Sequence, residues 1–247
     1  MKKRTANPLV PLKLLVLWWS WALSLSLLAS EIAACLELPG EAGLHQAKSV
    51  NRTTNRLAFG SGVMVKVGFH GGVWTSTDAT NWIQRGSGTI FSLYGVAYGN
   101  GLFVAIGNEG AMVTSSDGIS WSVRNLGIDE RLRGIVYANG MFVVVGYAGT
   151  ILTSSDGVRW SKRNFKTEAR LQSVAHARGM FVAVGWGGLI LTSSDGRRWR
   201  KQPSGISARL EAITYSNTAF EAFGENGIRL ISHDGFEWIA TNQPKIL

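Results

Sequence analysis

The sequence consists largely of five copies of one unit, and the constant length of this repeat restricts the fold more than any other feature. A tryptophan, an aspartate and a glycine each return at every thirty-ninth position without insertion or deletion. The three series are Trp82, Trp121, Trp160, Trp199 and Trp238; Asp78, Asp117, Asp156, Asp195 and Asp234; and Gly68, Gly107, Gly146, Gly185 and Gly224. Such periods are typical of arrays in which each unit packs on its neighbours.

The third unit shows what one repeat contains. Its pattern predicts strands at 132–138, 141–145, 150–154 and 158–163, the second of them wholly apolar. Asn139-Gly140 suits a tight hairpin, because both residues tolerate positive φ angles. Four antiparallel strands in a unit of this length make one propeller blade. We therefore predict an all-β, five-bladed β-propeller over residues 50–247. We expect it to close within one chain, and closure by oligomerisation remains the alternative. A solenoid is the competing architecture, but its strands are usually parallel and the two hairpins per unit argue against it.

A short motif connects this repeat with a known family. Ser-x-Asp-Gly-x-x-Trp occurs at 115–121, 154–160, 193–199 and 232–238, and the first unit departs from it with Ala79 in place of glycine. The motif resembles the Asp-box of BNR β-propellers, which include sialidases and the Ycf48-like photosystem II assembly factors. It is one residue shorter than the usual box. Sialidases usually have six blades and Ycf48-like proteins seven, whereas this chain has five.

The resemblance implies structural roles for the motif. The aspartate would cap the turn between the third and fourth strands, and the tryptophan would pack between blades. These positions are Asp117, Trp121, Asp156, Trp160, Asp195, Trp199, Asp234 and Trp238.

The beginning of the chain has the pattern of an export signal. Lys2, Lys3 and Arg4 precede an apolar run at 14–29, which is shorter than the about twenty residues of a usual membrane span. Ile32-Ala33-Ala34-Cys35 resembles a bacterial lipobox, although Glu31 before it departs from the usual pattern. We predict an export signal of the lipoprotein type at 1–34, lipidation of Cys35, a tether at 35–49 and a location on the cell envelope facing the periplasm or the exterior. An uncleaved anchor and ordinary secretion remain alternatives.

The turns between the second and third strands are the predicted binding face. All five are Gly-x-x-Gly, and only their central residues, here called the tips, vary. The tips are Phe69-His70, Asn108-Glu109, Tyr147-Ala148, Trp186-Gly187 and Glu225-Asn226. Aromatic rings at such positions can stack on sugars or anchor a peptide. They can equally pack at blade edges.

Arginine recurs at two repeat positions near the links between blades. Arg131, Arg170 and Arg209 precede the innermost strand, and Arg85, Arg124 and Arg163 end the outer strand. A partial ring of arginines around a channel would concentrate anions and bind carboxylates. The alternative is pairing with the neighbouring Asp129, Glu130, Glu168 and Glu211, or a purely solubilising role.

The last unit is irregular. Glu221 stands where the other units have valine, and Arg229 stands where they have Val73, Met112, Ile151 and Ile190. We expect the two on opposite faces of their hairpin and therefore not paired with each other. Either this blade is less enclosed, or these charges meet partners in the first blade or the tether.

Charge and composition narrow the function classes. The net charge is +9, of which the segment 1–34 contributes +3 (Lys2, Lys3, Arg4 and Lys13 against Glu31), leaving +6. This favours an anionic partner. No basic helix or recognition motif indicates nucleic acid. The four histidines lack metal spacing, and we predict no metal and no cofactor.

Two functions fit the sequence. The first is a lipid-anchored, non-enzymatic binding or assembly scaffold for a protein or glycan. The alternative is a BNR-type, sialidase-like glycoside hydrolase, which needs two carboxylates roughly 5–10 Å apart. Glu109 and Glu225 are the candidates, but no Phe/Tyr-Arg-Ile-Pro segment accompanies them.

Overall fold

The computed structural model describes residues 56–165 and 167–242, which form a five-bladed β-propeller array as predicted. Each blade is one four-stranded antiparallel sheet whose strands follow in chain order. Cys35, the export signal, the tether and both ends of the 50–247 range lie outside the described residues.

The strands of the first two blades are β1 (Leu57–Gly60), β2 (Val63–Val67), β3 (Val73–Ser76), β4 (Ile83–Arg85), β5 (Leu93–Gly99), β6 (Leu102–Gly107), β7 (Met112–Ser115) and β8 (Ser122–Arg124). Those of blades 3 to 5 are β9 (Leu132–Ala138), β10 (Met141–Gly146), β11 (Thr150–Ser154), β12 (Ser161–Asn164), β13 (Leu171–Ala177), β14 (Met180–Gly185), β15 (Ile190–Ser193), β16 (Arg200–Gln202), β17 (Leu210–Ser216), β18 (Ala219–Gly224), β19 (Ile228–Ser232) and β20 (Ile239–Asn242).

The strands of blade 3 match the prediction except for the outermost one. β12 begins at Ser161, whereas the pattern predicted a start at 158. The delay has a local cause: the Asp-box turn extends through Trp160, whose indole N–H donates to the carbonyl of Gly157 at 3.2 Å. Residues 158–160 therefore belong to the turn.

In blades 2 to 4, the second strand is buried on both faces. In β10, Phe142 and Val144 lie in an apolar cluster with blade 2, while Val143 and Val145 lie in a cluster with blade 4. We call the side toward the preceding blade the front face and the side toward the next blade the rear face. Because successive residues of a strand point to opposite faces, an unbroken apolar strand is what this position requires.

The Asp-box aspartates cap the turns between the third and fourth strands. Asp117 accepts hydrogen bonds from the backbone N–H groups of Ile119 and Ser120, both at 2.8 Å, and from the Ser115 hydroxyl. These bonds, the Ser120 amide first, lower the pKa of Asp117 to about 2. Asp78 makes the same two amide bonds although Ala79 replaces the glycine.

A group of three aromatic side chains repeats on the front faces. Phe142 is fully buried between Tyr137, with ring centroids 4.6 Å apart, and Trp160, at 6.1 Å. At the junctions between blades, the tryptophans that pack are Trp121, Trp160, Trp199 and Trp238. In blade 4 the tyrosine position holds His176, whose ring lies 4.5 Å from Phe181 and whose pKa is lowered by burial.

The described structure does not close the ring. Apolar clusters join blades 1 and 2, 2 and 3, 3 and 4, and 4 and 5. Within residues 56–165 and 167–242, no hydrogen bond, ion pair or apolar cluster joins blade 5 to blade 1. The expected closure within one chain is therefore not observed. We call the unjoined rear face of blade 5 and front face of blade 1 the two seam faces.

Glu221 and Arg229 are paired, so the expectation that they lie on opposite faces was wrong. Glu221 lies opposite Ile231 in the β18–β19 register, and Arg229 is two residues from Ile231, so all three side chains share one face. The Arg229 guanidinium donates to the Glu221 carboxylate at 2.8 and 3.1 Å, and the Ser216 hydroxyl donates at 2.7 Å. This pairing satisfies a nearly buried charge.

The Asp-box of blade 1 provides a test of backbone strain. Ala79 adopts φ +63°, in the left-handed region that is costly for residues with a Cβ atom. Ala79→Gly should raise the free energy of unfolding by a few tenths to about 1 kcal/mol, since relief of strain exceeds the added entropy of the unfolded chain. Chemical denaturation of the full chain measures this change.

The matched control is Gly118→Ala in blade 2. Gly118 has φ +75°, and an added Cβ would lie 2.9 Å from a Val63 methyl and 3.0 Å from a Val65 methyl. We expect it to lower stability by about 2 kcal/mol. If Ala79→Gly and Gly118→Ala changed the free energy of unfolding in the same direction and by the same amount, the left-handed turn would not determine stability here.

Candidate functional site

The tips stand on turns whose backbone geometry is the same in every blade. The third and fourth residues of each turn have positive φ, at Ala148 (50°) and Gly149 (63°) in blade 3. The first glycine is extended, and its missing side chain is what matters. A Cβ on Gly146 would lie 2.4 Å from the carbonyl oxygen of Arg131, and one on Gly185 would lie 2.3 Å from that of Arg170.

In blades 3 to 5, this close approach ties the tip to the arginine that precedes the inner strand. The backbone N–H of Tyr147 donates to the Arg131 carbonyl at 2.9 Å, and that of Trp186 donates to the Arg170 carbonyl at 3.0 Å. Glu225 is bound to the Arg209 carbonyl in the same way, at 3.0 Å. Each tip side chain and its arginine therefore leave the backbone side by side.

Arginines and aromatic tips form one continuous ladder across blades 3 to 5. The guanidinium of Arg170 lies over two rings, 4.8 Å from the centroid of Tyr147 and 4.2 Å from that of Trp186. Arg131 lies 5.8 Å from the Tyr147 ring, and Arg209 lies 4.2 Å from the Trp186 ring. We call these five residues, Arg131, Tyr147, Arg170, Trp186 and Arg209, the arginine–aromatic ladder.

In the described part of the chain, carboxylates pair with Arg209 at one end of the ladder. Arg209 lies 3.8 Å from Glu211 and 3.8 Å from Glu225, whose carboxylate also accepts the Arg209 backbone N–H at 2.9 Å. Among the described residues, no carboxylate lies within 4.0 Å of Arg131 or Arg170. Glu130, a predicted partner, instead binds Lys162 at 3.0 Å, which lowers the Glu130 pKa. Arg131 and Arg170 therefore form an exposed positive region.

The remaining tips lie outside the ladder. Phe69 is 62% exposed, with the Arg56 guanidinium 5.3 Å from its ring. His70 and Glu109 are exposed at the tips of blades 1 and 2, and Asn226 is exposed beside Glu225. Two tip atoms are enclosed without a hydrogen-bond partner among the described residues, Asn108 Oδ1 and Trp186 Nε1. The Trp186 ring thus contributes its faces rather than its N–H.

The sequence analysis did not predict a further group of side chains, which follow the first residue of the inner strands. In each of blades 2 to 5, one residue of the first strand has no partner opposite it in the second strand. These residues are Tyr94, Arg133, Gln172 and Glu211. These are β-bulges, which redirect a side chain. Arg133 lies 4.4 Å from the Tyr94 ring and donates to Gln172 at 3.0 Å. The signal was present: one variable position follows the constant Leu93, Leu132, Leu171 and Leu210.

The second arginine series does not join the ladder. Arg85, Arg124 and Arg163 each donate through Nε to a threonine hydroxyl of the adjacent third strand, Thr75, Thr114 and Thr153, at 2.8–2.9 Å. Blade 4 has Gln202 at this position, and its amide donates to Thr192 at 2.7 Å. These side chains hold the outer strand to its own blade.

The two carboxylates predicted for a glycoside hydrolase stand on blades that are not consecutive in the chain. Glu109 and Glu225 stand on the tips of blades 2 and 5, with two blades between them. Within the described ranges there is no cluster of three or more histidine, cysteine, aspartate or glutamate side chains that would hold a metal ion. Two shallow depressions, lined in part by Asp156 and by Phe165, flank the outer strands of blade 3 and do not include the ladder.

No helix in the described part of the chain has the length and apolar character needed to span a membrane.

The fold is similar to that of several solved structures. A Ycf48 protein bound to a D1 peptide is 21% identical, with a TM-score of 0.58, and the match covers 81% of this chain and 69% of that one. Ycf48 from Cyanidioschyzon merolae is 14% identical, with a TM-score of 0.56 and coverage of 75% and 70%. A GH74 enzyme of Niastella koreensis is 17% identical, with a TM-score of 0.50 and coverage of 76% and 31%.

Sequence comparisons add nothing to this likeness. No protein-family model matches the chain, and no curated protein sequence matches it. The chain has a Ycf48-like β-propeller fold, and this likeness is one of architecture.

The threonine-bound arginines supply a test of their structural role. Arg124→Gln should leave stability nearly unchanged, because Gln202 makes the equivalent bond in blade 4. Arg124→Ala should lower the free energy of unfolding by about 1 kcal/mol, since the Thr114 hydroxyl loses its donor. Thermal or chemical denaturation distinguishes the two, and equal losses would indicate that the guanidinium charge matters more than the hydrogen bond.

Proposed function

We propose that this chain is a non-enzymatic binding or assembly scaffold that holds an extended, acidic protein segment on the arginine–aromatic ladder. The observation that carries the proposal is the ladder itself, in which Arg131 and Arg170 flank Tyr147 without a carboxylate partner among the described residues. Side chains of this kind recognise carboxylates and peptide chains.

The electrostatics of the ladder favour an anion. The three guanidinium groups alternate with two rings, and among the described residues Arg209 alone of the three has carboxylates within 4.0 Å. Like charges held close together repel, and a bound carboxylate removes that repulsion. The guanidinium fork can also bind a carboxylate through two parallel hydrogen bonds. A segment with several carboxylates, or with a free C-terminus, would therefore bind most strongly near Arg131 and Arg170.

The rings of Tyr147 and Trp186 determine which part of a ligand would lie between its carboxylates. Tyr147 and Trp186 are half-buried and held by cation–π contacts, so they lose little further conformational freedom on binding. Their exposed parts suit the apolar side chains or the backbone of an extended peptide. A protein of the same fold, Ycf48, has been seen with a D1 peptide, which supports a protein segment as the class of ligand.

The glycoside hydrolase alternative has less support. The likeness to a GH74 enzyme extends over 31% of that chain and concerns the fold. Its candidate carboxylates are separated by two blades, and Glu225 already binds Arg209. A glycan ligand is an alternative outcome of the binding experiment below.

The test is binding of a short acidic peptide with a free C-terminal carboxylate, measured by calorimetry or fluorescence anisotropy. Arg170→Gln and Trp186→Ala should each weaken binding at least about tenfold, which corresponds to about 1.4 kcal/mol. Trp186→Phe should retain binding, because the indole N–H has no partner among the described residues and the ring faces remain. Affinity should fall as salt concentration rises.

The control is Arg198→Gln on the Asp-box side of blade 4. It removes the same charge from a side chain that is 93% exposed and pairs with Asp195 in its own turn. Its affinity should equal that of the unsubstituted chain. Equal affinities for Arg170→Gln and the control would refute the ladder as the site. Binding of an anionic oligosaccharide but not of the peptide would replace the protein ligand with a glycan.

We also propose that the scaffold is exported and anchored through lipid on Cys35, on the basis of the basic start, the apolar run and Ile32-Ala33-Ala34-Cys35. Two or more acyl chains suffice for stable membrane anchoring. Mass spectrometry of the mature protein should find an N-terminus at a modified Cys35. An unmodified Cys35 in a chain that still begins near Met1 would refute lipidation.

A further inference from the structure

The residues of the two seam faces occupy repeat positions that lie in the interior at the junctions between the other blades. At the junction of blades 4 and 5, Val182, Val184 and Ile190 of the rear face share one apolar cluster with Phe220, Ala222 and Leu230 of the front face. The equivalent residues at the seam are Glu221, Phe223 and Arg229 on blade 5 and Met64, Lys66 and Trp74 on blade 1. Except for Glu221, all of these are half-buried, whereas all six junction residues of blades 4 and 5 are buried.

The departures from the repeat on the two seam faces are complementary. Glu221 replaces a valine on the rear face, and Lys66 replaces an alanine or valine on the front face. Arg229 replaces an apolar residue on the rear face, and Trp74 replaces a valine or leucine on the front face. A carboxylate and an ammonium group, and a guanidinium group and a large ring, would thus be enclosed in one junction if such a rear face packed on such a front face.

The two faces are also preformed. Glu221 is held by Arg229 and Ser216, while the Lys66 ammonium lies 5.4 Å from the Trp74 ring and 4.8 Å from the Trp82 ring. Within the described residues no carboxylate lies within 4.0 Å of Lys66. An amine at a position that is buried in every other junction needs a carboxylate partner when the face is covered.

We propose that a second copy of this chain covers the seam, with the rear face of blade 5 of one copy packed on the front face of blade 1 of the other. The faces of one chain do not meet in the described structure, yet they are the two halves of the junction that the chain builds four times between its own blades. Head-to-tail association of this kind continues an established interface. Two copies with two such junctions make the smallest closed assembly. The proposal is independent of ligand binding at the ladder.

Charge reversal on either face tests the proposal on the full chain in mild detergent. Light scattering after size-exclusion chromatography should show that the unsubstituted chain associates. Lys66→Glu and Glu221→Lys should each weaken association at least about tenfold, because each places like charges against one another across a covered junction. Lys201→Glu, an exposed Lys-to-Glu change on β16, should have no effect.

Mixing the two variants distinguishes a second copy from closure within one chain. An equimolar mixture of Lys66→Glu and Glu221→Lys contains one native Glu–Lys junction and one with the charges exchanged, so differently tagged copies should co-purify. Circular dichroism would reveal whether Glu221→Lys folds. If it does not, Lys66→Glu keeps the test valid, because its substitution lies on a half-buried face. The unsubstituted chain should then capture the Lys66→Glu variant through one native junction, its own Lys66 against the variant's Glu221, and therefore more weakly than it captures a second unsubstituted copy.

Three results would overturn the proposal. The unsubstituted chain could be monomeric at every concentration tested, or it could associate equally well with Lys66→Glu. The single variants could also remain monomers that are less stable, are not repaired by mixing, and are repaired only when both substitutions are in the same chain. That last result would assign the seam to closure of the chain on itself.

Discussion

The close approach of two backbone segments underlies the arrangement at the tip end of the molecule. In blades 2 to 5, the first glycine of the tip turn lets the carbonyl before the inner strand come within reach of the next backbone N–H, at 2.9–3.0 Å. The same contact begins the inner strand and coincides with its β-bulge. It therefore determines three positions together: where the tip side chain leaves the backbone, where the preceding residue of the inner strand leaves it (an arginine in blades 3 to 5), and which inner-strand residue is redirected. The ladder is a consequence of backbone geometry that the repeat copies from blade to blade.

Much of the fold could be predicted because the repeat has two reinforcing signals. Hairpin glycines with positive φ, such as Gly140, fix where strands end, and unbroken apolar strands such as β10 require burial on both sides. The outer strand was the least predictable. Its start depends on the indole bond of Trp160 to its own turn, and the regular spacing of the tryptophans does not reveal that bond.

The candidate site could be predicted only in part. The tips and the first arginine series were visible as variable and repeated positions, respectively. That they alternate in space depends on the bond of each tip of blades 3 to 5 to the carbonyl of its own arginine, which spacing does not reveal. The Arg124 series looked equivalent by composition, but its position on a rear face directs it to Thr114. The error at Glu221 and Arg229 came from counting along the strands without their register, since a shift of one residue inverts a face.

The invariant length of the unit gives the ladder a property of its own. Because the marker residues recur at the same interval in every blade, gain or loss of one unit of the kind found in blades 3 to 5 would lengthen or shorten the ladder by one arginine and one tip. The length of ligand that such a surface can contact would then change in increments of one blade. Chains of this kind could diverge in the extent of what they bind through the number of units, and in its chemistry through single tip residues, as two separate variables.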